Sequence, residues 1–123
     1  MNDEEIHELL EQYGYPPHVV NRGRAGLVEA WRKFVEQVEK GYRFGLYDYR
    51  NDLDTRGVLA RLGLDQEVVE LDERFRHALI HTDRKIWESD IENAFWIFGY
   101  PRCSSDELLE DLRAEGLAPG QSG

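Results

Sequence analysis

The chain has 123 residues, of which 25 are acidic and 15 basic, so its formal charge at pH 7 is −10. This charge repels phosphate groups, which argues against nucleic acid and anionic membranes as partners and in favour of a basic protein partner. The single cysteine excludes an internal disulfide and indicates a reducing compartment.

The amino-terminal sequence MNDEEIHELL is acidic and amphipathic, unlike a secretion signal. No apolar run approaches the length that is needed to cross a bilayer. We therefore expect a soluble cytoplasmic protein.

Two amphipathic helices are predicted in the first third of the chain. Apolar residues recur at helical spacing over 3–13, where Asn2 can cap the first turn. A stronger pattern covers 24–40 and ends at Gly41, a residue typical of helix termination. Its apolar stripe consists of Leu27, Val28, Trp31, Phe34, Val35 and Val38.

Two further helices are predicted in the middle of the chain, over 46–62 and 65–82. Leu46 and Tyr49 begin the apolar side of the first one. Gly57 is expected to kink or break it, because the apolar positions are displaced around the helix axis beyond that residue.

The remaining segments complete a helical fold. The run AFWIFGYP, within 91–101, is too short and too apolar to be assigned by periodicity, and we favour irregular or helical structure inserted into the core. A last helix is predicted over 105–115. The prediction is therefore an all-α fold, a single compact bundle of about five helices with short loops over 1–116, followed by a flexible tail at 117–123.

The segment DYRNDLDTR, residues 48–56, concentrates charge on a predicted helix. One interpretation is a lattice of surface ion pairs, such as Asp52 with Arg56 one turn later. The alternative is a divalent-cation or general-base site built from Asp48, Asn51 and Asp52. We favour the ion pairs, because these side chains could supply only two or three of the oxygens that a hard cation needs.

A metal site is the main alternative elsewhere in the chain. Glu73, His77 and His81 recur at every fourth position, and on a helix their side chains could share one transition metal. However, the motif lacks the glutamate that lies between the two histidines of metalloproteases. We expect no cofactor, with a divalent metal at these residues as the alternative.

Aromatic residues are concentrated near the carboxyl-terminal end of the predicted core. Most of them are expected to be buried, but a domain of this size cannot bury all of them. Tyrosine and tryptophan are enriched among the residues that anchor protein interfaces. The candidates for an exposed interaction surface are Trp87, Trp96, Phe98 and Tyr100.

Three motifs resemble a type of small bacterial protein without an established activity. They are WRKFVEQVEKGY, then DYRNDL, then the helix that contains LDERF, and with the tryptophan-rich stretch that follows them the resemblance covers roughly residues 28–98. The resemblance implies a bacterial, cytoplasmic, helical protein and no particular reaction. It also implies an ion network between helices, made of Asp52, Arg56, Asp72 and Arg74. With Asp48 and Asn51 from the 48–56 segment, these residues form the candidate polar network.

The most economical functional hypothesis is protein interaction, because no complete catalytic set of residues is present. The chain would self-associate as a homodimer, or mask a partner in the manner of an antitoxin or immunity protein. The rival hypothesis is a metal-binding protein or a metal-dependent enzyme that uses His77 and His81 with nearby carboxylates.

Overall fold

Helices dominate the computed structural model, which describes residues 2–87 and 95–117. The described part contains five α-helices and one sheet of two strands, which confirms the predicted all-α bundle with short loops. The helices are α1 (Asp3–Gln12), α2 (Pro17–Lys40), α3 (Leu46–Arg61), α4 (Val69–His77) and α5 (Asp106–Ala114). The strands are β1 (Leu79–His81) and β2 (Gly99–Pro101), and short 3₁₀-helices cover Asp65–Val68 and Phe95–Phe98.

The first two helices form an antiparallel pair through a sharp turn. Asn2 caps α1 by accepting a hydrogen bond from the backbone N–H of Glu5. The second helix begins at Pro17, earlier than the predicted start at residue 24, because proline suits the first turn of a helix. It is kinked at Gly23, whose backbone (φ 54°, ψ −135°) is not helical.

The central helix, α3, runs without interruption from Leu46 to Arg61, so the predicted break at Gly57 is wrong. Gly57 is buried within the continuous helix. Residues on several sides of α3 are buried, since it packs against both α2 and α5. Tyr49 is fully buried and donates a hydrogen bond from its hydroxyl to the carbonyl oxygen of Gly99.

The predicted helix over 65–82 is instead three short elements. A 3₁₀-helix at Asp65–Val68 leads into α4, which ends at His77, and the chain then extends into β1. Strand β1 pairs antiparallel with β2, so that Ile80 lies opposite Tyr100. The partner strand comes from the short aromatic run, and helical periodicity gives no sign of such a distant pairing.

The carboxyl-terminal helix closes the core. Ser105 caps α5 by accepting a hydrogen bond from the N–H of Leu108, and Leu108 and Leu112 are buried. Leu117 is also buried and bonds back to the carbonyl of Leu112, so it belongs to the core and not to the predicted tail. The rest of that tail, 118–123, lies outside the described residues. Residues 88–94, which include the first residue of the AFWIFGYP run, also lie outside them.

Replacement of Gly23 by alanine is expected to destabilise the fold by roughly 2 kcal/mol or more, because its backbone conformation is strained for any L-residue. An added Cβ would also lie 2.9 Å from Nε2 of His7. Urea denaturation followed by circular dichroism measures the change.

Gly14→Ala is the matched control, since Gly14 also has a positive φ but a Cβ there meets nothing within 4 Å. It should cost about 1 kcal/mol. Equal losses for the two variants would contradict the proposed contact with His7.

Candidate functional site

A buried guanidinium lies at the centre of the polar network. Arg56 on α3 is only 4% exposed. It donates two hydrogen bonds to the carboxylate of Asp72 on α4, at 2.9 and 2.8 Å, and a second ion pair joins it to Asp65 at 2.7 Å. The guanidinium carbon also lies 4.6 Å from the centre of the Trp96 ring, within cation–π range.

Asp72 is shared between two helices, because its Oδ1 also accepts a hydrogen bond from the indole N–H of Trp31 on α2 at 3.1 Å. Burial lowers the pKa of Arg56, but the hydrogen bonds and charges of Asp72 and Asp65 outweigh burial and raise it. The guanidinium is therefore permanently charged. Its role is to hold elements together, since its carboxylate partners already balance that charge.

A second pair joins Asp52, which is half-buried in the middle of α3, to Tyr42, which is buried and precedes that helix. The hydroxyl of Tyr42 donates to Oδ2 of Asp52 at 2.7 Å. Burial and the neighbouring carboxylates of Asp52 and Asp48 raise the pKa of Tyr42 far above its ordinary value. Burial also raises the pKa of Asp52, the Tyr42 hydrogen bond opposes that shift, and the charge of Asp48 adds to it.

The predicted network is therefore divided. Arg56 and Asp72 do pair across helices, but Asp52 bonds to Tyr42, and Arg74 pairs with Glu39 on α2. Asp48 and Asn51 are exposed, and neither makes a hydrogen bond or an ion pair within the described residues. Accordingly, the structure does not unite the six residues in one site.

The three candidate metal ligands are also separated. Glu73 and His77 lie one turn apart on α4 with a separation of 3.6 Å, and both are well exposed. His81 lies on β1, beyond the end of that helix, so the regular spacing that suggested three ligands does not continue. Within residues 2–87 and 95–117, no three histidine, cysteine or carboxylate side chains are arranged to hold a metal ion.

The aromatic residues proposed for an interaction surface lie mostly in the core. Trp96 and Tyr100 are each only 4% exposed, because Trp96 covers Arg56 and Tyr100 lies in the strand pair. Trp87 and Phe98 are half-buried. The predicted surface is therefore incorrect for Trp96 and Tyr100, and Trp87 contributes to a different one.

Where the structure describes exposure, the most exposed aromatic residue is one that the sequence pattern did not single out. Tyr47 on α3 is 82% exposed. A signal was available, because the apolar seam of α3 contains Leu46, Tyr49 and Leu53, and Tyr47 does not share their helical spacing.

Tyr47 belongs to a surface that we call the α3 face, which consists of Tyr47, Asn51, Asp54 and Trp87. These four residues, together with Arg50, line a cavity of about 300 Å³. Asp54 also lines a second cavity of about 380 Å³ at the turn between α1 and α2. The outer side of α3 is thus an open, aromatic surface with indentations on both sides.

The second cavity extends the aromatic character of this side of the molecule. It is lined by Tyr13, Gly14, Tyr15, Pro16, Asp54, Val58 and Arg61. Tyr13 is 44% exposed. Burial raises the pKa of Tyr15, and the charge of Asp54 adds to that shift, so the Tyr15 phenol stays neutral.

A scan against protein-family models, a search of curated proteins and a search of solved structures each give no match to this chain. No described helix is both long enough and apolar enough to cross a membrane. Functional inference therefore rests on the geometry above.

Asp72→Asn is expected to destabilise the protein by roughly 3 kcal/mol, because it leaves a buried guanidinium without its main counter-charge. The amide oxygen can still accept from Trp31 and from Nε of Arg56, but the amide nitrogen replaces the oxygen that accepts from Nη2, so the loss combines the missing charge with one missing hydrogen bond. Urea denaturation at neutral pH measures it. Asp65→Asn is the control, and since the Asp65 side chain is 53% exposed, its loss should be clearly smaller.

The raised pKa of Asp52 gives a pH-dependent prediction for Asp52→Asn. The folded pKa lies above the unfolded value of about 3.9. The folded state therefore binds this proton more tightly, and its stabilising contribution is lost as the pH rises through the folded pKa.

Relative to Asp52→Asn, the wild type should become less stable as the pH rises from below about 3.9 towards neutrality. Urea unfolding of both proteins at several pH values tests this. Asp48→Asn should reduce the effect without removing it, since Asp48 is the lesser cause. A difference that grows in the opposite direction would refute the assignment.

Proposed function

We propose that this chain is a protein-interaction domain whose partner docks on the α3 face. The observation that supports this most directly is Tyr47, a large aromatic side chain that is 82% exposed on the most extensively buried helix. Tyrosine, tryptophan and arginine are the residues that most often dominate binding energy in interfaces. Trp87 lines the same cavity as Tyr47.

The partner is inferred to be a basic protein. The formal charge of −10 steers positively charged molecules towards the chain and repels nucleic acid. The same charge opposes self-association, because two copies would bring like charges together. Masking of a basic partner, as an antitoxin or immunity protein does, agrees with the attraction to basic proteins and with the repulsion between copies. The resemblance to small bacterial proteins supports a bacterial, cytoplasmic setting.

Affinity capture from a bacterial lysate tests the proposal. The immobilised wild type should retain a basic protein that elutes at raised salt, since salt screens charge steering. Tyr47→Ser combined with Asp54→Asn should lose that protein. Tyr47 is exposed and Asp54 is only half-buried, so both changes are expected to be compatible with folding, which circular dichroism checks.

The matched control is Glu4→Gln combined with Glu8→Ser, which alters two exposed residues on α1 instead. It should capture the same protein as the wild type. Equal capture by both double variants, or no captured protein together with monomeric sedimentation, would refute the proposed function.

A further inference from the structure

We infer that the cavity of the α3 face binds the guanidinium of an arginine side chain on the partner protein. This inference rests on the proposed function and adds the chemical group that is recognised. Its support is the chemistry of the four residues of the α3 face and the fact that Arg50, which also lines the cavity, already has partners.

Two aromatic residues form walls of the cavity. Tyr47 and Trp87 line one cavity, and neither is fully buried, so their rings are accessible from it. The face of an aromatic ring attracts a cation, and tryptophan and tyrosine do so well. Arginine has a planar guanidinium that stacks on such rings, which the ammonium of lysine cannot do.

The cavity is also lined by one cationic and one anionic side chain. Arg50 is already occupied, because its side chain donates to the carbonyl oxygen of Ile86 and lies 3.6 Å from the carboxylate of Glu115. Asp54 makes no ion pair within the described part of the chain. The cavity therefore retains one carboxylate that can accept a paired hydrogen bond from a guanidinium.

Three residues of the α3 face are aligned along the helix. Tyr47, Asn51 and Asp54 follow one another at intervals of four and three on α3, so they form a stripe along one side of the helix. That stripe is about 10 Å long. An arginine that reaches Asp54 can thus lie beside the Tyr47 ring, with the Asn51 amide between them as a further polar contact.

A second copy of the chain is a poorer occupant. Two copies that meet through this face would oppose Asp54, and the adjacent Asp48, to the same carboxylates of the other copy. Like charges in such positions favour separation. A cationic group from another protein meets no such repulsion.

The inference is tested with synthetic peptides and ¹⁵N-labelled protein. The probes are a short alanine-based peptide with one central arginine and the same peptide with citrulline, which is the uncharged analogue of arginine. The arginine peptide should shift the backbone signals of residues 47–54 and the indole signal of Trp87. The citrulline peptide should bind at least about tenfold more weakly, since it lacks the charge.

Variants identify the groups responsible. Tyr47→Ser and Asp54→Asn should each weaken binding of the arginine peptide about fivefold. Glu4→Gln, which removes one exposed charge from α1, should leave the affinity unchanged. Equal binding of both peptides, equal effects of Asp54→Asn and Glu4→Gln, or shifts that map to α1 would overturn the inference.

The results also separate this inference from the proposed function. If lysate capture depends on the α3 face but the arginine peptide does not bind there, the interaction role stands and the arginine assignment is wrong. If the peptide binds but the wild type and the double variant of the α3 face capture the same protein equally, the arginine assignment stands and the interaction role is wrong. A wild-type dimer that Tyr47→Ser dissociates would refute the arginine assignment in favour of self-association.

Discussion

The fold depends on one constraint, the burial of the Arg56 charge. A guanidinium that is 4% exposed is tolerated only when opposite charge and hydrogen bonds surround it. Asp72 supplies two of those bonds from α4, and Trp96 covers the guanidinium from the 3₁₀-helix at Phe95–Phe98. Since Asp72 also accepts from Trp31 on α2, helices α2, α3 and α4 must reach their positions together. The polar centre therefore specifies how the helices are arranged, and the surrounding apolar residues supply most of the driving force.

Among residues 2–87 and 95–117, this arrangement leaves the outer side of α3, which carries Tyr47 and Asn51, exposed. Gly45 precedes the helix and has no side chain that could cap its first N–H groups. The carboxylate of Asp111 on α5 accepts a hydrogen bond from the N–H of Leu46 instead. Such a charge at a helix amino terminus is favourable. The helix is thus held at its start by α5, along its buried sides by the core and near its end by Arg56. A surface supported in this way loses little conformational entropy on binding, which favours the α3 face as a docking site.

Local patterns predicted the helices well and the long-range contacts poorly. The helices α1, α3 and α5 were recognisable because their apolar residues repeat at helical spacing. The strand pair could not be found in this way, since Ile80 and Tyr100 are distant in sequence and each lies in a strand of only three residues. The candidate metal site shared that error, because the end of α4 at His77 separates His81 from the helix. The aromatic surface was misjudged for a related reason, since composition alone does not show that Trp96 covers a buried charge.

The polar segment 48–56 shows how one helix can serve two roles. Asp52 and Arg56 are one turn apart and could have paired with each other on the surface, where such a pair contributes little. Both instead point inward to partners from elsewhere, Tyr42 and Asp72, where low solvent exposure makes hydrogen bonds to charges stronger. The helical repeat that directs these residues inward also directs Tyr47, Asn51 and Asp54 outward. The inward residues are committed to the fold, so it is on the outward residues that a partner can act.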